Sequence, residues 1–253
     1  FCAGMLHFIP EAEFIGAKAS IIMTLLQLVL PYAACLGGMV GLSRMVSALG
    51  ARPEAHWFWV HAAGNAVVCA LCAPSLMTLL QQPAAAVYVP VHKTPLLGWD
   101  SAWIAMLHLY HLLAYANIPP GDMLHHLLFV PYAQLSVLGP HLWGWTRGWG
   151  PALQLQHLFI CGLPGLLDYT CLALRKEGRL SKARQKRLQV KFNVWLRVPG
   201  VLSSCTLLLY GTLLWPDAPR SAWASVSLNA VLIGGNSLYY AERVIRASPP
   251  DRG

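Results

Sequence analysis

The sequence predicts an all-α, polytopic transmembrane helix bundle of about seven helices, with six as the alternative. Three observations lead there. Of 253 residues, 56% are hydrophobic and 11% charged, roughly half the charged share of an ordinary soluble domain. Apolar runs recur along the chain, the clearest from Ala19 to Ser43, which no Asp, Glu, Lys, Arg or His interrupts. Each approaches the ~20 residues a helix needs to cross a bilayer core. Between the runs stand strong breakers: Gly50-Ala51-Arg52-Pro53, Gln81-Gln82-Pro83, Pro119-Pro120-Gly121 and Trp215-Pro216-Asp217-Ala218-Pro219.

Residues 1–18 are read as an N-terminal interfacial segment. They lack a basic region followed by an apolar core and cleavage site, so a leader is expected to be missing or already removed. The first helix covers 19–42. The second, 55–80, starts after the Gly50 to Pro53 break and carries His56, His61 and Asn65 in its opening turns. It also holds Cys69-x-x-Cys72, read as packing because the pair sits inside an apolar run. The third, 99–117, contains His108 and His111 and stops at the double proline. The fourth, 123–140, follows Asp122 and opens with His125 and His126; with the third it is the weakest span. The fifth, 151–174, follows a turn bearing Trp143, Trp145 and Trp149, whose rings are expected at the membrane interface. The sixth and seventh cover 192–215 and 221–242, and a short tail, 247–253, closes the chain. The seven cysteines are scattered through these segments with no spacing that frames disulfides.

The net charge of +8 comes largely from one stretch, Arg175 to Arg197, which holds half of the 18 basic residues. Such clustering reads as a membrane-side loop rather than a nucleic-acid surface. Seven alternating spans put Arg44, Arg52, the 175–191 stretch, Arg243, Arg246 and Arg252 on one side. Lys18, Lys93, Arg147 and Arg220 fall on the other. Loops on the cytoplasmic side collect Lys and Arg, so the carboxy terminus is assigned to the basic side.

Ionisable side chains are costly in hydrocarbon and need partners or a polar cavity. With a helical rise of ~1.5 Å per residue, the orientation places His56, His61, Asn65, His108, His111, His125, His126, Asp168, Asn193, Arg197 and Asn236, nearly all the strongly polar membrane residues, in the leaflet next to the basic side. His108 and His111 share a helix face. Asp122 is placed as an N-cap and stands four residues before His126, so it can also orient that imidazole. Asp168, preceded by Gly162-Leu163-Pro164-Gly165, is the better buried carboxylate. Three chemistries fit this set: a histidine backed by a carboxylate as base or nucleophile in acyl transfer, a histidine and carboxylate metal site, or axial ligation of haem or another tetrapyrrole. The histidine spacing is too sparse for a di-iron lipid oxidase, and no metal ligand is assigned.

The run His108-Leu-Tyr-His111-Leu-Leu-Ala-Tyr115, followed by Asp122-Met-Leu-His125-His126, resembles the TLC domain, the membrane domain of ceramide synthases and related lipid proteins. Asp168-Tyr169, Gly178-Arg179-Leu180 and Asn193-Val194-Trp195-Leu196-Arg197-Val198-Pro199-Gly200 are similar to an uncharacterised TLC-like subgroup. The resemblance covers 19–246. It implies a helix bundle around a lipid-accessible cavity, with His125 and His126 as the paired histidines and Asp168 as the later acidic position, together the candidate catalytic set. His108, His111, Tyr115, Asp122, Asn193, Arg197 and Asn236 are then expected to line the lipid cavity. Asp168 has no aspartate neighbour, so the chain lacks the family's H-D-x-S-D acidic signature, against N-acylation of sphingoid bases.

The expectation is therefore a lipid-binding or lipid-handling membrane protein, with acyl transfer as its chemistry if it is an enzyme and a bound lipid in place of a cofactor. The alternative is a non-catalytic accessory subunit of a respiratory or photosynthetic complex, contacting other membrane-protein subunits and pigments such as haem or chlorophyll. Endoplasmic reticulum or other endomembrane, mitochondrial and plastid membranes all fit.

Overall fold

A computed structural model describes residues 11–83, 98–115, 118, 123, 126–127, 145 and 148–248, with side chains from residue 29 onward. Among the described residues every regular element is helical and there is no strand. The first helix, α1, covers Glu11–Ala48 and ends in a turn where Gly50 takes a φ of 79°. α2, Pro53–Gln81, begins with a proline in its first turn, where a missing N–H costs nothing. α3, Trp99–Ala114, starts after Gly98, whose φ is 91°. α4 covers Gly150–Lys176 and α5 covers Lys182–Leu213, while α6 occupies 220–246. Among the described residues, four stretches are long and apolar enough to cross a membrane: Val29–Ala48 of α1, α2, α4 and α5. The fourth predicted span, 123–140, lies outside the described residues except for Met123, His126 and Leu127, which are helical.

Three helices contain a wide π turn: Leu158–Gly162 in α4, Asn193–Arg197 in α5 and Ala230–Gly234 in α6. The first two stand directly before Pro164 and Pro199. Proline removes one backbone donor and crowds the carbonyl one turn earlier, so a wider turn relieves both problems without ending the helix.

α5 starts ten residues before the predicted 192, because Lys182 to Lys191 is helix rather than loop. Lys, Arg and Gln are good helix formers, and Ser181 caps the start, its Oγ accepting from the Arg184 amide at 3.3 Å. The true connection is a tight turn. Gly178 sits at φ 77°, and the Arg179 amide returns to the Leu174 carbonyl at 2.8 Å.

Side-chain contacts fix the helix directions. α2 runs against α4, with Trp59 donating to Glu177 at 2.7 Å near one end and Ser75 donating to Gln154 toward the other. α3 has Asp100 beside Gln154 and Tyr115 beside His56, so it runs parallel to α4. The α5 and α6 contacts, Thr212 with Trp149 and Asn229 with Gln156, extend the alternation. Arg44, Arg52, the 175–191 stretch, Arg243 and Arg246 consequently gather at one end of the bundle.

Close approach depends on small residues at two crossings. A Cβ on Gly165 would lie 2.5 Å from Asn65 Nδ2, and one on Gly200 would run into the Phe159 ring. The surface shows the reverse of a soluble pattern: Leu80, Leu113, Leu213, Val231 and Trp195 are exposed, whereas Gln154, Gln156, Asn193 and Asp100 are buried. Trp145 and Trp149, which precede the start of α4, are buried in a core with Leu153, Leu208, Trp215 and Val226. Their indole N–H groups donate to Ser221 at 3.1 Å and Thr212 at 2.7 Å, so each ring is satisfied inside the bundle.

Candidate functional site

The basic end holds a cluster of imidazoles between α2, α3 and α4. His111 Nδ1 and His126 Nε2 lie 2.9 Å apart, so one nitrogen donates and the other accepts. The His108 ring is centred 4.8 Å from that of His126, and the His61 ring 5.8 Å from that of His111. Trp57 packs against both His61 and His111, and Tyr169 packs 4.4 Å from His61. His56 closes the cluster toward the basic side: its Nδ1 lies 3.1 Å from the Tyr115 hydroxyl and its Nε2 3.0 Å from Ser47 Oγ.

Helix periodicity builds this arrangement. His56 and Trp57 start α2, with His61 one turn on, and His108, His111 and Tyr115 repeat on one face of α3. His108 Nδ1 donates to its own helix at the Ile104 carbonyl, 2.7 Å away. Among the described residues, no three of His, Cys, Asp and Glu are set to hold a metal ion.

A second polar group adjoins the first through consecutive residues of α4, Asp168 and Tyr169. Asp168 and Arg197 are both buried, with Arg197 Nη2 3.5 Å from Asp168 Oδ2. Asn193 is the hinge of the group. Its Nδ2 donates to Asp168 Oδ2 at 3.3 Å and to the Gln189 carbonyl at 2.8 Å, while its Oδ1 accepts from Arg197 at 2.6 Å. Arg197 also lies over the Tyr240 ring, 4.8 Å from its centroid. The π turn of α5 contains both Asn193 and Arg197, and the widened turn is where the two side chains converge on Asp168.

The structure thus brings His108, His111, Tyr115 and His126 into one cluster, and Asp168, Asn193 and Arg197 into a neighbouring one. Asp168 is engaged by Arg197 and Asn193 rather than by a histidine. Asn236 is half-buried on α6, one turn before Tyr240. Asp122 and His125 lie outside the described residues. Trp57 and Tyr169 join the cluster, as do His56 and His61, which were expected in the same leaflet but not as cavity residues; the signal for Tyr169 is its place directly after Asp168.

The opposite end carries a third group that breaks the one-leaflet expectation. His157 Nδ1 and Asp100 Oδ2 are 2.5 Å apart and both residues are buried. Gln154 donates to Asp100 Oδ1 at 3.3 Å and accepts from the Ser75 hydroxyl. Next to it, Gln156 and Asn229 exchange two amide hydrogen bonds of 2.8 and 3.0 Å. The sequence signal was present in the polar run Gln154-Leu155-Gln156-His157 within an apolar helix.

Comparison of the chain with protein-family models, with curated proteins and with solved structures finds no match.

Proposed function

We propose that this chain is a TLC-like, seven-span lipid-handling membrane protein whose histidine cluster receives the polar end of a lipid, and that its chemistry is acyl transfer. The observation that carries the reading is the convergence of His61, His108, His111 and His126 between three helices. Imidazoles gather inside a membrane bundle where they meet a polar ligand or one another. In an apolar bundle whose outer face meets acyl chains, the polar ligand with ready access is a lipid head.

The His111 and His126 pair supplies the base. One imidazole, held by its neighbour at 2.9 Å, takes the proton of a lipid hydroxyl or amine as that group attacks an acyl carbonyl. A C–O or C–N bond forms, the acyl bond to the leaving group breaks, and the imidazolium returns its proton to the departing oxygen or sulfur. Asp168 and Arg197 serve as a neutral charge pair that braces α4 against α5 beside the cluster.

The test is mass spectrometry of co-purifying lipid together with an acyl-transfer assay on wild type, His111→Ala and His126→Ala. Loss of acyl transfer in both variants, with a fall in retained lipid, supports the proposal. Wild-type protein that retains no lipid and transfers no acyl group, or variants indistinguishable from it, overturns it. Migration only within a large complex on a native gel, without activity, would favour an accessory subunit.

A further inference from the structure

The Asp100 and His157 pair stands at the end of the bundle away from the histidine cluster. An apolar layer of Val68, Cys72, Ile104, Leu155 and Leu158 lies between them, so the pair is not part of that site. Its geometry is nonetheless fully organised. Asp100 accepts at both oxygens, from Gln154 and in the contact with His157 Nδ1, and Ser75 in turn donates to Gln154. This fixes the amide orientation of Gln154 and the ring orientation of His157. Nε2 of His157 has no hydrogen-bond partner among the described residues and is not fully enclosed, although the residue as a whole is only 5% exposed.

Counting protons shows what Nε2 offers. Apolar surroundings favour zero net charge for the pair. That is reached by imidazolium beside carboxylate or by neutral imidazole beside protonated carboxyl. In both, Nε2 carries a hydrogen, so the pair presents one N–H donor that needs a neutral acceptor. Its depth indicates which. His157 is seven residues into α4, roughly 10 Å from the helix start, and Asp100 is the second residue of α3. Trp99, beside it, is part-exposed, as befits an interfacial ring. Acceptors just beneath the headgroups are ester carbonyls, whereas a phosphate would add an uncompensated negative charge.

We infer that His157, positioned by Asp100, donates from Nε2 to the acyl-ester carbonyl of a glycerolipid, making a second lipid site in the leaflet away from the basic end. The full chain is placed in nanodiscs of equal parts diacyl- and dialkyl-phosphatidylcholine of matched chain length, and the retained lipid is read by native mass spectrometry. The ether lipid lacks the carbonyls and is otherwise alike. Wild type should retain the ester roughly tenfold over the ether, as a hydrogen bond to a charge-assisted donor allows. His157→Phe and Asp100→Asn should remove that preference, and Leu113→Ala, an outward-facing change at the basic end of α3, should keep it. Should the variants fail to fold, infrared spectra of wild type with 13C-carbonyl lipid decide the matter: a bound fraction with a lowered carbonyl frequency is expected. Equal retention of the two lipids by wild type, a preference that survives in folded His157→Phe, or an unshifted carbonyl band overturns the inference.

Discussion

Replacing Arg197 by Met removes the cationic partner of a buried carboxylate while keeping much of the side-chain volume. In the native chain Asp168 Oδ2 is 3.5 Å from the guanidinium and 3.3 Å from the Asn193 amide. Without Arg197, only the neutral Asn193 amide remains beside the carboxylate, and Asn193 Oδ1 also loses its 2.6 Å donor. Stranding one member of a buried ion pair costs about 3–5 kcal/mol. Removing both charges is far milder, because replacing a buried pair by neutral groups is often close to neutral. Reversible unfolding in mixed micelles should therefore show Arg197→Met destabilised by about 3–5 kcal/mol and Arg197→Met with Asp168→Asn recovering at least half of that. A double variant no more stable than the single one would show that Asp168 and Arg197 do not act as a pair, and the bracing role would fall.

Three further outcomes follow from the packing. Gln156→Leu leaves the Asn229 amide without its reciprocal partner in an apolar interior and should lower stability by about 1–3 kcal/mol, with Gln156→Leu and Asn229→Leu together restoring most of it in the same unfolding assay. Gly200→Ala drives a methyl into the Phe159 ring and should cost about 1–3 kcal/mol, relieved by the added change Phe159→Leu. Thr212→Val deletes the acceptor of the buried Trp149 N–H, so a loss of about 1–2 kcal/mol with a shifted tryptophan emission is expected; unchanged emission would place that indole elsewhere.

The helical, membrane-spanning character was legible because composition and run length are set by the solvent, and lipid leaves few alternatives to helices. The limits of α2 and α4 were read to within two residues, since Pro53 is a strong breaker and the basic run from Arg175 ends the apolar stretch. The start of α5 was not, because a basic run reads equally as loop or as helix continuing past the membrane, and only the Ser181 cap separates the two. Grouping of His108 with His111 followed from helix spacing alone. His61 and Tyr169 entered the cluster through the α2 to α4 crossing, a tertiary fact that Gly165 permits without announcing. Asp168 could be marked as buried, yet its partner Arg197 is 29 positions away and meets it only through a π turn, which no periodicity reveals. The Asp100 and His157 pair was missed for a different reason: Asp100 is the second residue of α3, where a polar residue is ordinarily read as terminal, and its partner is 57 positions away on another helix.

The claim that a lipid head enters the histidine cluster is tested most directly by photocrosslinking. A lipid bearing a diazirine next to its headgroup is activated in the presence of wild type and of His111→Phe, and the labelled peptides are mapped. The account predicts adducts on the α2 and α3 peptides around His61 and His111 in wild type, and their loss when the phenyl ring replaces the imidazole. Labelling confined to the outward faces at Leu80, Leu113 and Trp195, the same in both proteins, would contradict it.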